Sequence, residues 1–295
     1  MHIGLAGVGK MGAAIALRLM DIGHQVTVWN RTPDKTRPVI DAGAAVAATP
    51  AELASKADAV LTILTDGAAI EQVYNGPDGL LSGAAAGKLF FEMSTVPPEV
   101  NVALAAKVRA KGAALVECPV GGSVPPARQG KLIGLMGAEP ADAARATPIL
   151  QPLCRRLEHC GPVGAGSTMK LAINLPLMVA WQAYGEAFAI CRDLGWEAKR
   201  LLDLFTDTSG ANGALKNRAD MIVAMLEGRQ PGPTTFNVSD ACKDLRTMLA
   251  AGAAKGTEMP AAKAALSAFE EASKNGLAAS DGSGLSVYWA SRGKR

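Results

Sequence analysis

Lys170 and Asn174 stand one helical turn apart, at the head of a stretch from Leu171 to Ile190 that is almost entirely apolar. The chain has only three histidines in 295 residues, so Lys170 is the best candidate for a proton donor. A lysine partly desolvated at a domain boundary has its pKa drawn down toward neutrality, where it can give and take a proton. The ordinary alternative for any lysine is a surface ion pair. Lys170, Asn174, Leu177, Met178 and Trp181 recur at steps of three and four and therefore share one helical face.

A second constellation lies near the start. Gly7, Val8, Gly9, Lys10, Met11 and Gly12 form G-x-G-x-x-G between an apolar strand and an amphipathic helix, and a second apolar strand follows at 25–29. In such a βαβ unit the first glycine permits the tight turn, the second lets a pyrophosphate approach the backbone, and the third lets helix and strand pack closely. The N–H groups and partial positive charge at the helix start then hold the phosphate. At the end of the second strand, where an acidic residue would accept the ribose hydroxyls of NAD, the chain reads Asn30-Arg31-Thr32. A guanidinium pairs with a 2′-phosphate that a carboxylate would repel, so NADP(H) is favoured over NAD(H). The alternative for Arg31 is a solvated surface residue.

These groups need a scaffold that brings strand ends together. The run 59–64 is continuously apolar and β-branched, the pattern of a strand buried on both faces of a parallel sheet, and it is broken by Thr65-Asp66-Gly67. Ligands of doubly wound folds bind beyond the carboxyl ends of strands, which places Leu64 and Thr65 beside the cofactor. Further strands are expected at 88–92, 114–116 and 132–136. The first of these ends in Ser94 and Thr95, which either cap the helix at 98–111 or contact a ligand. The second ends in Glu117-Cys118-Pro119-Val120-Gly121-Gly122-Ser123. From about Gly164 the alternation gives way to helical patterns: one long helix at 167–194, then helices at 197–206, 214–226, 239–255 and 260–274. The expected architecture is an α/β Rossmann-type N-terminal domain with a parallel-rich sheet (1–163), followed by an all-α C-terminal domain (164–295) carrying substrate and dimerisation surfaces. Pro176 should bend the long helix.

Composition narrows the function. Thirty basic against 27 acidic residues leave a net charge of +3, and no basic run points to nucleic acid. Arg292, Lys294 and Arg295 read as a solvated tail, and His24 as a solvated imidazole in a turn. Five cysteines without C-x-x-C, and three scattered histidines, argue for reduced thiols in the cytoplasm and against a metal site. The opening strand leaves no room for a cleaved leader. The apolar run 171–190 contains Asn174, Pro176, Gln182 and Glu186, so a buried helix is expected rather than a membrane span.

The blocks GVGKMG (7–12), EMSTVPP (92–98), ECPVGGSVPPARQGKL (117–132), GAGSTMKLAIN (164–174) and FNVSDACKDL (236–245) resemble, in order and spacing, those of the β-hydroxyacid dehydrogenase family. That family includes 3-hydroxyisobutyrate dehydrogenases, tartronate semialdehyde reductases and glyoxylate/succinic semialdehyde reductases. The resemblance implies that Lys170 is the general acid and base at the substrate oxygen and that Asn174 orients it and the substrate. It implies that Thr95 lies beside cofactor and substrate, and that Lys243 lies near the nicotinamide and substrate; Asp244 follows Lys243 in the same pattern. It further implies a small carboxylate-bearing substrate and a homodimer or homotetramer formed through the helical domain.

One departure stands out. Family members commonly read P-V-S-G-G, whereas Gly121 occupies the place of the serine that holds the substrate carboxylate; the backbone N–H groups of Gly121, Gly122 and Ser123, with the Ser123 hydroxyl, would form the anion cradle instead. Two other readings share the architecture. One is an imine reductase or reductive aminase, whose members generally lack a lysine at position 170. The other is a noncatalytic NADP(H)-binding scaffold, whose degenerate members tend to lose it.

Overall fold

An apolar strand, a glycine turn and an amphipathic helix bury their side chains together when the helix lies back over the sheet and the chain returns as a parallel neighbour. The computed structural model, which describes residues 1–292, begins with that unit: β1 (His2–Ala6), α1 (Lys10–Asp21) and β2 (Gln25–Trp29), with β1 and β2 paired in parallel from His2/Gln25 to Ala6/Trp29. There follow α2 (Arg37–Ile40), β3 (Ala45–Val46), α3 (Pro50–Lys56), β4 (Ala59–Thr62), α4 (Gly67–Asn75), β5 (Leu89–Glu92), α5 (Pro98–Ala110) and β6 (Ala114–Glu117). Next come β7 (Val120–Gly121), α6 (Val124–Arg128), β8 (Leu132–Gly137), α7 (Pro140–Leu150) and β9 (Cys154–Gly161). The strands form one sheet in the order β3-β2-β1-β4-β5-β6-β8-β7, with β9 added alongside β8. Pairing is parallel from β3 through to β6; β8 runs antiparallel to β6 and β7 and parallel to β9.

The chain divides into two compact units between Leu171 and Ala172. In the first, neighbouring residues of the central strands feed opposite apolar layers. Leu5, Leu61, Phe91 and Val116 pack with Ile15, Leu19 and Ile149, while Ala6, Val60, Phe90 and Leu115 pack with Leu53, Tyr74 and Leu104. Burial on both faces explains why these strands read as continuous apolar runs rather than as an alternation.

Several boundaries differ from expectation for identifiable reasons. The strand expected at 59–64 ends at Thr62: Ile63 still donates to Ala6 O at 3.0 Å, but the Leu64 N–H turns to Ser94 Oγ at 2.7 Å. Ser94 therefore accepts a bond from the neighbouring strand end, and α5 begins after Pro97 with no side-chain cap, so the capping role considered for Ser94 is not the one it plays. The strands β3 and β7 have two residues each, too few for any periodic pattern. The eight-residue β9 went unforeseen because its Arg155, Arg156 and Glu158 are exposed and its apolar content is low.

The second unit is helical: α8 (Ala165–Cys191) from Ala172 onward, α9 (Ala198–Thr206), α10 (Gly213–Leu226), α11 (Val238–Ala254), α12 (Pro260–Ala272) and α13 (Gly284–Ser291). The helix expected at 167–194 thus starts at Ala165 and ends at Cys191, closing in a 3-10 turn, and it is continuous through Pro176. Trp181, Tyr184, Phe188 and Phe205 form a chain of ring contacts with centroids 5.0–6.3 Å apart. A Cβ on Gly185 would stand 2.8 Å from Trp289 Cβ, so α8 and α13 approach through that glycine. No sequence pattern announced α13, because its Leu285, Val287, Tyr288 and Trp289 leave no polar stripe. Arg292 is exposed, as expected, and is tied to the Tyr288 hydroxyl at 2.6 Å and to Glu271 at 2.8 Å; Lys294 and Arg295 lie outside the described residues. Among the described residues no helix is long and apolar enough to cross a membrane, and no group of three or more His, Cys, Asp or Glu is arranged to hold a metal ion.

Candidate active site

The three glycines after β1 meet three different demands. Gly7 has φ +100°, and a Cβ there would stand 2.2 Å from the Ile63 carbonyl oxygen. Gly12 is buried in α1, where a Cβ would stand 1.9 Å from the Gly7 carbonyl oxygen and 3.0 Å from Ile63 Cγ2. Gly9 has nothing within 4 Å of its Cβ position and is exposed at the helix start. One glycine makes the turn, one lets α1 seat against β1 and β4, and one leaves its outer side open to a ligand. The side chain of Asn30 locks this turn to the end of β2: its Oδ1 accepts the Val8 N–H at 2.9 Å, and its Nδ2 donates to Thr32 O at 2.8 Å. Val8 is itself buried, so both it and Asn30 serve to hold the turn's shape.

A cavity of about 350 Å³ lies at the carboxyl ends of β1, β2 and β4. The strand order reverses between β1 and β4, and that switch point is where doubly wound sheets hold their ligands. Gly7, Gly9, Asn30, Arg31, Thr32, Leu64 and Thr65 all line this cavity. Lys35 lines it too and was not foreseen; its only signal was a second cation four residues beyond Arg31. Lys10, Met11 and Thr95 are outside the lining, and so are Gly121, Gly122 and Ser123. The residues present fit a dinucleotide: an open glycine and a helix start suit a pyrophosphate, and the lining also carries the cations Arg31 and Lys35 and the acid Asp78.

Behind this cavity lies a buried polar chain that the sequence did not reveal. Thr62 Oγ1 stands between the Tyr74 hydroxyl at 2.8 Å and Glu92 Oε2 at 2.5 Å, and Glu92 Oε1 accepts the Ser94 N–H at 2.8 Å. Since Ser94 Oγ also receives the Leu64 N–H, Glu92 secures the strand ends that carry Leu64 and Thr95. Glu92 is fully buried, and desolvation pushes its pKa from 4.5 up to about 7, against the hydrogen bonds from Ser94 and Thr62 that pull it down. Because the folded-state value is raised, the associated stability is fully present below about 4.5 and is lost as pH rises through about 7, in total about 3 kcal/mol. Glu92→Gln is expected to abolish most of that decline. Urea unfolding of both proteins at pH 5 and pH 8 checks this; an unchanged pH dependence would refute it.

The remaining candidates are distributed along both units. Gly121 ends β7, opposite Ile133 of β8, and a Cβ there would meet Ile133 Cβ at an ordinary 3.5 Å. Packing therefore does not demand glycine at 121. Gly122 is different: its φ is +125° and a Cβ would approach Leu132 Cδ2 to 2.9 Å. Ser123 is the N-cap residue of α6 without a side-chain capping bond. Lys170 lies on α8 and is only 8% exposed; Asn174, half-buried, follows one turn later on the same helix. In the second unit, Lys243 on α11 pairs with Asp244 at 3.1 Å, so the acid beside the lysine is its ion-pair partner. His24 is half-buried rather than solvated, and desolvation lowers its pKa.

Comparison with known proteins identifies the family of the chain. Residues 2–161 match the family described as the NAD binding domain of 6-phosphogluconate dehydrogenase, and residues 164–288 the one described as the NAD-binding of NADP-dependent 3-hydroxyisobutyrate dehydrogenase. Glyoxylate/succinic semialdehyde reductase 1 of Arabidopsis thaliana is 33% identical over 283 residues, covering 94% of each protein. The structure of Mycobacterium tuberculosis 3-hydroxyisobutyrate dehydrogenase with L-serine superposes with a TM-score of 0.84 at 27% identity, over 97% of this chain and 98% of that one. An imine reductase of Streptomyces aurantiacus shares the fold at a TM-score of 0.65 and 21% identity, over 98% and 99% of the two chains. With a dinucleotide cavity at the sheet's switch point and likeness to these proteins along nearly its whole length, the chain belongs to the β-hydroxyacid dehydrogenase family of NAD(P)-dependent oxidoreductases.

Proposed function

We propose that the chain interconverts a small β-hydroxy acid and its semialdehyde, with NADP(H) preferred over NAD(H) and Lys170 as general acid and base. The nicotinamide, when bound, supplies or accepts the hydride at the carbonyl carbon. Lys170 protonates the substrate oxygen during reduction and recovers that proton during oxidation, and Asn174 orients the reacting groups. The substrate carboxylate is held by the backbone N–H groups of residues 121–123, with Lys243 as a further cation near it. Thr95 contributes its hydroxyl beside cofactor and substrate. The observation that carries this reading is a lysine 8% exposed, with an asparagine one turn on, in a chain of this family. The same lysine weighs against an imine reductase and against a noncatalytic scaffold.

For the cofactor, Arg31, Thr32 and Lys35 supply the charge and hydrogen bonds that a 2′-phosphate needs, and no acid in the cavity lining between Trp29 and Lys35 would repel it. A charge-assisted bond of roughly 1.5–3 kcal/mol corresponds to roughly 10–100-fold in affinity. Arg31→Ala is accordingly expected to reduce kcat/KM for NADPH by that factor and to leave the value for NADH nearly unchanged; equal losses with both cofactors would sink the assignment. Self-association as a homodimer or homotetramer is favoured by the exposed Ile173, Ile190 and Leu194 on and just after α8. Five unpaired cysteines suit the cytoplasm.

The test is a spectrophotometric panel at neutral pH. NADPH and NADH oxidation would be followed with succinic semialdehyde, glyoxylate, methylmalonate semialdehyde and tartronate semialdehyde, and cofactor reduction with the matching hydroxy acids. Turnover with at least one carboxylate-bearing aldehyde, faster with NADPH, is the expected result. Tight NADPH binding without turnover on any of them would overturn the substrate class.

A further inference from the structure

Glu117 ends β6 with no exposed surface, and it is not among the residues that line the cofactor cavity. Its side chain reaches the start of α8. Oε1 accepts the N–H groups of Gly164 at 2.6 Å, Gly166 at 2.8 Å and Ser167 at 3.3 Å, while Oε2 accepts the Ser167 hydroxyl at 2.5 Å and Asn101 Nδ2 at 2.8 Å. These five partners all donate. A helix leaves its first N–H groups without partners inside the helix and carries a partial positive charge there, so α8 is capped by a carboxylate from a distant strand. The approach is built into the neighbours as well. A Cβ on Gly137, the residue paired with Glu117 across the sheet, would stand 2.3 Å from Glu117 Oε1, and one on Gly166 would stand 2.2 Å from Leu135 O. Only glycine at both positions lets the carboxylate and the first turn of α8 sit where they do.

Ser167 and Lys170 are three residues apart on α8 and both buried, so they stack on one face of the same turn. We propose that Glu117 is a positioning residue: by gripping the first turn of α8 it fixes the attitude of Lys170, and turnover depends on it although it touches no reacting atom. This rests on the role proposed above for Lys170. Within a helix whose start is held by four bonds to one carboxylate, a lysine one turn on inherits that rigidity. Misplacement by about 1 Å is enough to cost roughly 100-fold in rate.

The acceptor-only demand makes Glu117→Gln a sharp probe, since a glutamine of the same shape must aim an NH₂ at donors on one side or the other. NADPH binding, read from the change in its fluorescence, is expected to stay at the wild-type value. The value of kcat with the best aldehyde of the panel is expected to fall roughly 10–100-fold. The decisive measurement is a cycle of E117Q, K170A and the double variant, because residues that act as one unit are not additive. E117Q should cost nothing further once Lys170 is gone, and the limb of the pH–rate profile that disappears in K170A should be displaced in E117Q. A wild-type kcat for E117Q, or losses that multiply in the double variant, would overturn the positioning role while leaving Lys170 in place. Near-normal turnover of K170A would instead overturn the reading of Lys170, and this inference with it. Should E117Q fail to fold, Ser167→Ala keeps the carboxylate, removes one of its donors and runs through the same cycle with the same outcomes.

Discussion

Lys170→Ala is expected to lower kcat by roughly 10²–10⁴-fold, the usual worth of a positioned general acid, while NADPH still binds. The oxygen of a carbonyl accepting hydride gains negative charge, and without a proton donor that charge must be stabilised by fixed dipoles alone. No histidine stands ready to replace the lysine: His2 bonds Thr27 at 2.7 Å, His159 bonds the Ala138 carbonyl at 2.9 Å, and His24 lies in the turn before β2. The start of α8 should survive, because Glu117 keeps its donors on Gly164, Gly166 and Ser167 when the lysine is truncated. Steady-state kinetics beside a fluorescence titration with NADPH separates the two effects. Turnover within a few-fold of wild type would remove Lys170 from the mechanism.

Gly12→Ala should have the largest effect on cofactor binding. The added methyl would stand 1.9 Å from the Gly7 carbonyl oxygen, a backbone atom that cannot step aside without unmaking the turn. Overpacking of this kind costs about 1–3 kcal/mol of stability, and the displaced helix start takes the phosphate site with it. NADPH affinity is expected to fall at least roughly 100-fold, equivalent to about 2.7 kcal/mol. Gly9→Ala provides the contrast: with nothing within 4 Å of its Cβ position it should leave the melting temperature unchanged while still weakening NADPH. Equal melting temperatures and equal affinities for Gly12→Ala and wild type would show that the close packing read at this glycine is not a constraint.

Much of the first unit was legible from the chain because local rules acted alone there. The βαβ unit was found in place and its second strand at the observed limits 25–29, since period and turn chemistry agree there. The elements that escaped notice obey no local rule. The strand β9 is polar and owes its conformation to β8, and α13 is apolar on every side and owes its helicity to packing within the second unit.

The sequence by itself determined the fold class, the dinucleotide motif, the absence of an acid at the end of the second strand and the presence of Lys170 one turn before Asn174. Each of these depends on residue type and short spacing, which a linear chain records directly. Only the tertiary structure decided what Glu92, Ser94 and Glu117 do, and why Gly137 and Gly166 must lack side chains. Glu92 meets Thr62 across 30 residues and Glu117 meets Ser167 across 50, and in the sequence each is merely an acid at the end of an apolar run. A buried carboxylate takes its meaning from the donors around it, and those donors are assembled by the sheet order and the helix start, long-range features that no window along the chain contains.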